Sequence, residues 1–321
     1  MKIIRSYPFL YLLGAALAVA VYFSLSTPIA GNLGDVVTLK MNGSSATTPV
    51  KLHVLRESYD SARVSYVVAS DPNGSTARIS LPGGTKFKKD DIVIAEIGYT
   101  PSESRFEVIS VERVNPLLSF AFIPGLGELG RNMLFHVPMS MVAFLAFFMG
   151  TVYSILYLIK KDPSFDRSAR ASSAAGTLFT LLATITGSIW ARFSWGTFWN
   201  WDPREVSIFI LLLIYFAYFI LRSLLEEAEE KKARIAAVYN IIAFVSVPFL
   251  MFVIPRIKQS LHPGGGGGEA PIINTSGKVV HTDPTLLDMH WINVLLFVLL
   301  FLWMKDLYTR VLSIEARRLE S

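Results

Sequence analysis

Six apolar runs govern what this chain can become: Phe9 to Leu25, Met139 to Ile159, Ala174 to Ala191, Val206 to Leu221, Ile235 to Ile254 and Leu286 to Met304. About 20 residues of helix cross the hydrocarbon of a bilayer, and the shorter runs reach that length with flanking residues. Lipid offers no partners for backbone amides, so each run is expected to be a helix. Composition agrees. Of the 321 residues, 52% are hydrophobic and the mean hydropathy is +0.45, which points to lipid rather than a globular core as the home of the excess. Pro248 falls inside the fifth run and should kink it, while Asn240 in the same run should face protein.

Charge supplies the orientation. Lys2 and Arg5 precede the first run; Lys160, Lys161, Arg167 and Arg170 follow the second; Arg222, Lys231, Lys232 and Arg234 follow the fourth; Lys305, Arg310, Arg317 and Arg318 follow the sixth. Basic clusters on alternate connections place both termini in the cytoplasm of a bacterial inner membrane. Segments 26–138, 192–205 and 255–285 then face outward. The net charge of +5 is accounted for by these loops, so lipid, not nucleic acid, is the expected partner of the basic residues. The first run reads as an uncleaved anchor, because Pro28-Ile29-Ala30 makes a poor cleavage site.

The first outer segment has a different character. Short runs alternate apolar and polar positions, among them Val36–Leu39, Val50–Val54, Ala62–Val68, Ala77–Leu81, Asp91–Ile97 and Arg105–Val111. Turn signals separate them, such as Asn42-Gly43, Asn73-Gly74 and Pro82-Gly83-Gly84. That pattern predicts strands. The expected fold is therefore an all-α polytopic membrane protein of about six transmembrane helices with an inserted small antiparallel β domain, OB-like or a sandwich, on the outer face. The expected divisions are an anchor at 1–28, the periplasmic β domain at 29–113 and a five-helix membrane domain at 114–321. His53, alone on a strand, should be structural or solvent-facing.

With no cysteine, the chain cannot form a disulfide, ligate a metal by thiolate or attach haem covalently. Histidine is the strongest ligand left, and there are five: His53, His136, His262, His281 and His290. Between the third and fourth runs lies Trp195-Gly196-Thr197-Phe198-Trp199-Asn200-Trp201-Asp202-Pro203-Arg204-Glu205, which holds three of the chain's six tryptophans. Asp202, Pro203 and Glu205 have the spacing of a helix N-cap, an N1 proline and a capping-box partner. An aromatic belt at the membrane surface would account for scattered tryptophans. The density here instead suits stacking against a large planar ligand. His136 stands at the outer entrance of the second helix and His262 follows the fifth, at matching depth. Two imidazoles from different helices can take both axial positions of one haem iron, with the Trp loop along the porphyrin edge. Arg131, Arg192 and Arg204 are the candidate partners of the propionates. His281, in a polar loop, and His290, beside Asp288 and Trp291, are weaker candidates.

The loop with Trp195-Gly196, Trp199, Trp201-Asp202 and Arg204 resembles the tryptophan-rich "WWD" signature of haem-handling proteins. His136-Val137-Pro138, preceded by Arg131 and Met133, looks like the first periplasmic histidine motif of the CcmC family, and Leu261-His262 falls where that family carries its second. The resemblance covers about residues 126–312. It implies a cytochrome c maturation factor, not an enzyme, that holds non-covalent, bis-histidine haem b on the outer face. It also implies transfer to a CcmE-like haem chaperone, with CcmA-, CcmB- and CcmD-like subunits, or to an apocytochrome c as in the related CcsA/ResC and CcmF branches, whose members attach haem. The Asp202-Pro203 pair leans towards those branches, and the six-helix length towards CcmC. The β domain departs from CcmC, where a short loop is expected. Residues 1–112 have the outline of CcmE but lack its His-x-x-x-Tyr attachment motif, so a docking or accessory role is expected of them.

Two other classes compete. A haem-bearing electron-transfer subunit would need ligands deep in the helices, where the second to fifth runs have none. A transporter of another solute would be expected to carry midplane charges or broken helices; Asn240 and Pro248 are the nearest to these.

Overall fold

Each apolar run becomes helical, and each but the fifth lies within a single helix that outlasts the run. The computed structural model describes residues 7–43, 47–61, 64–121, 127–225, 229–258, 260–261 and 284–320. The long helices are α1 (Tyr7–Ser26), α3 (His136–Lys160), α4 (Pro163–Trp195), α5 (Pro203–Leu224), α6 (Glu229–Pro248) and α8 (Pro284–Glu320). Among the described residues, six helices are long and apolar enough to cross a membrane. Two shorter ones are α2 (Leu33–Met41) and α7 (Ile254–Ile257).

Helix α4 shows why apolar runs underestimate helices. It begins eleven residues before Ala174, at an Asp162 cap that accepts the Ser164 N–H, with Pro163 in the first turn. Its opening stretch is polar in composition yet buried at Asp166, Ala169, Ala171, Ser172 and Ser173. Small side chains let helices approach closely where lipid provides no hydrophobic drive. A Cβ added at Gly176 would lie 2.7 Å from the Phe147 ring of α3, so that contact exists only because the residue is glycine. Asn240 is fully buried. Its amide donates to Ser154 Oγ at 2.9 Å, and its carbonyl accepts from Ser173 Oγ at 3.3 Å, joining α6 to α3 and α4. At the end of the bundle where α4 begins and α5 closes, Arg222 makes a two-pronged pair with Asp166, at 2.7 and 2.8 Å. The expected kink at Pro248 takes the form of a π-helical turn over Phe249–Val253, which leads into α7.

The chain divides into two compact units, and the second spans Leu25–Gly130. Its strands β2 (Thr48–Ser61), β3 (Val64–Ser70), β4 (Thr76–Leu81), β5 (Ile92–Thr100) and β6 (Arg105–Val114) close a barrel in the order β2-β3-β4-β6-β5. The OB-like form of the domain is the one adopted, and the sandwich is not. Nor is the sheet wholly antiparallel, since β4 and β6 pair in parallel. Inward residues such as Val50, Leu52, Val67, Ile79, Val93 and Ile97 fill the barrel. A two-residue parallel pairing of β1 (Ile29–Ala30) with β7 (Phe120–Ala121) accompanies it.

Val36 to Leu39, expected as a strand, lies within α2. Asn32 and Asp35 form a reciprocal capping box, and Leu33 and Val36, one turn apart, are the residues buried. A local hydrogen-bonded start outweighs the β-branched run. His53 is exposed and lies 3.7 Å from Asp90.

Candidate functional site

His136 is the first residue of α3, which runs antiparallel to the closing turns of α4. Its Nδ1 lies 2.9 Å from the Ala183 carbonyl oxygen and 3.2 Å from Thr186 Oγ1. A carbonyl oxygen only accepts, so Nδ1 carries the proton and Nε2 keeps its lone pair. That is the tautomer a metal ligand needs, with its second nitrogen held by a backbone acceptor. The ring also rests against Gly187, where an added Cβ would be 2.9 Å from His136 Cε1. The α4 residues Ala183, Thr186 and Gly187 are the part of the site that sequence reasoning missed. Their one visible signal is a glycine within an apolar helical run.

The Trp-rich loop begins where α4 ends. Gly196 has φ +86°, the left-handed conformation that closes a helix, and its N–H donates to the Arg192 carbonyl. Arg192 in turn donates from Nη1 to the Gly196 carbonyl. Trp195 packs edge-to-face on Trp190 at 5.0 Å. Trp199 meets Trp201 at 5.9 Å and Phe209 at 6.1 Å, both edge-to-face. Trp201 has φ +56°, costly for a bulky side chain, and the residue is 72% exposed. Phe193 and Phe198 are exposed beside it in sequence. The loop thus offers individual exposed aromatic faces rather than three stacked coplanar rings.

Two acidic residues hold the loop. Asp202 and Glu205 form the capping box of α5 with Pro203 in its first turn, as the spacing indicates. Glu205 Oε2 accepts from the backbone N–H of Asn200 at 2.7 Å and of Asp202 at 3.2 Å. Asp202 accepts from Arg204 N at 2.9 Å, from Ser260 Oγ at 2.8 Å and from Leu261 N at 2.7 Å. The two residues that precede His262 are therefore fixed to the Trp loop. His262 itself lies outside the described residues, as does His281.

The arginines divide. Arg131 Nη1 donates to the Ser24 carbonyl at 3.1 Å, tying the entrance of α3 to α1, and Arg192 is spent on the end of α4. Arg204, half-buried in the first turn of α5, lies within electrostatic range of the His136 ring. His290 is buried, hydrogen-bonded to the Met133 backbone, and edge-on to Trp291. With Asn293, which donates to the Leu134 carbonyl and Ser24 Oγ, it ties α8 to the residues that lead into α3 and to α1. Among the described residues no group of three or more His, Asp or Glu side chains could hold a metal ion.

Residues 120–320 match the family model CcmC, heme exporter protein C. The heme exporter protein C of Paracoccus denitrificans is 33% identical over 184 residues, 57% of this chain and 73% of that protein. That of Rhodobacter capsulatus is 30% identical over 209 residues, 63% of this chain and 81% of that protein. The cytochrome c biogenesis protein CcsA of Chlamydomonas reinhardtii is 29% identical over 146 residues, 41% of this chain and 40% of that protein. The matched family segment contains His136, the Trp loop and Leu261 but not the barrel.

Proposed function

Because the chain belongs to the CcmC family, heme exporter protein C, we propose that it receives haem during cytochrome c maturation and hands it on. Haem is its cargo, held without covalent attachment as haem b. The observation that carries this reading is His136, whose proton is fixed on Nδ1 by the Ala183 carbonyl, leaving Nε2 for iron. His262 supplies the second axial nitrogen. Trp201, Trp199 and Trp195 bring aromatic surface to the porphyrin edge. Arg204 is the propionate partner we favour over Arg131 and Arg192, because the latter two bond the ends of helices.

The alternating basic clusters support an orientation with this end of the bundle on the outer face of the inner membrane and both termini inside. There haem would pass to a CcmE-like chaperone or to an apocytochrome c, with CcmA-, CcmB- and CcmD-like subunits as further partners. The barrel is then a docking module for the acceptor. Closure uses up most of its pairing edges; beyond Glu107, β6 pairs with β5 but has no strand on its other side among the described residues. An extended segment would add there.

The test is made in cells. Cells that carry His136→Ala as their sole copy should lose covalent haem from c-type cytochromes and keep their b-type cytochromes. Unchanged c-type cytochromes would count against the proposal.

A further inference from the structure

We infer that Asp202 is a positioning residue that locks the Trp loop to the chain leaving α7, so that the two sides of the haem site are set by one carboxylate. The inference rests on the functional reading above. Asp202 is 5% exposed. Capping a helix takes one side-chain acceptor, and Ser, Asn and Asp serve about equally well. Asp202 does more. Oδ1 takes both the Arg204 N–H and the Ser260 hydroxyl, and Oδ2 takes the Leu261 N–H. Two of its bonds therefore reach residues 58 and 59 positions away in sequence.

Only a carboxylate fits this pattern. The side chain must accept on both of its terminal atoms, and it must do so while buried, where hydrogen bonds to a charged acceptor are strong and an unmet donor is costly. Asparagine would keep the cap through its oxygen. Its amide N–H would then face the Leu261 N–H, donor against donor. Asp202 directly follows Trp201, the exposed residue at φ +56°, and Leu261 directly precedes His262. One side chain thus fixes the backbone next to an aromatic face and the backbone next to a candidate ligand. Asp202→Asn, neutral if the residue only caps, is expected to be damaging.

Two readouts separate this inference from the functional reading. The chain has no cysteine, so Phe198→Cys with Leu261→Cys gives a clean spin-label pair at two exposed positions. In the purified full chain the label distance should be narrow with Asp202. It should broaden with Asp202→Asn, and less with Ser260→Ala, which leaves the cap untouched. In haem-loaded protein without labels, Asp202→Asn should release haem about tenfold faster or more, the scale of one charge-assisted hydrogen bond. It should also lose six-coordinate character that added imidazole restores. Leu261→Pro, which removes the N–H and spares Asp202, should do the same. A narrow label distance in Asp202→Asn overturns the coupling whether or not haem binds. A wild-type protein that takes no haem would overturn the functional reading instead, with the label distances still deciding the coupling.

Discussion

Gly187→Ala tests the seat of His136 without touching it. A Cβ at position 187 would sit 2.9 Å from Cε1, 3.4 Å from Nδ1 and 3.8 Å from Nε2 of the imidazole. The ring must retreat by about 0.5 Å to regain an ordinary contact, and overpacking of this kind costs about 1–3 kcal/mol. Retreat is opposed by the bonds from Nδ1 to Ala183 and Thr186. Breaking them would cost a further ~1 kcal/mol and free the tautomer. Against this, alanine favours a helix over glycine by about 1 kcal/mol. The apoprotein should therefore lose about 1–3 kcal/mol of stability at most, and haem retention should fall as well, by roughly 5- to 150-fold, the equivalent of ~1–3 kcal/mol. The assay is haem dissociation from purified protein to an excess of a soluble haem acceptor, with melting temperature measured alongside. Gly14→Ala, where nothing lies within 4 Å of the new carbon, is the control. Haem loss at the wild-type rate from a folded Gly187→Ala protein would refute the argument that α4 fixes the ligand.

Other expectations follow from the same geometry. Arg222→Ala leaves Asp166 buried and uncompensated and should cost about 3–5 kcal/mol, read as a lowered melting temperature in detergent; Asp166→Leu with Arg222→Leu should recover most of it. In the barrel, Asp91 accepts from Asn115 Nδ2 and from the Lys88 N–H, and these bonds hold its carboxyl below the usual range. A depressed carboxyl stabilises the folded form above its unfolded value of about 3.9 and loses that contribution as pH falls through the folded value. Asn115→Ala should therefore lessen the acid sensitivity of the full chain between those limits, measured as melting temperature against pH. Replacing residues 35–112 by a short Gly/Ser linker should leave the haem spectrum of the purified protein intact and impair cytochrome c maturation in cells. A folded deletion protein without haem would contradict that division.

How much could be read from residues alone depended on how local the cause was. Apolar runs located every long helix, because lipid imposes a length and a composition. They missed the first three turns of α4, where Ser and Ala are buried by neighbouring helices. A four-residue β-branched run such as Val36–Leu39 is ambiguous by periodicity; the Asn32–Asp35 box beside it was the better signal. Closure of the barrel depends on the β4–β6 pairing, which joins residues far apart in sequence, so the strand pattern left an OB-like barrel and a sandwich both open. The site divided in the same way. The cap of α5 lies within four residues and was read correctly. The bonds from Asp202 to Ser260 and Leu261, and from His136 to Ala183, bridge 47 to 59 positions, and no local pattern announces them. Arg192 and Gly196, which lie in the Trp-rich stretch, also form the end of α4.

The visible absorption and electron paramagnetic resonance spectra of the purified full chain test the central claim most directly. The account predicts co-purified haem that is low-spin with two imidazole ligands, lowered in occupancy by His136→Ala or by His262→Ala and partly restored by added imidazole. Haem content and spectrum unchanged in both variants, or a folded wild-type protein that takes up no haem, would contradict it.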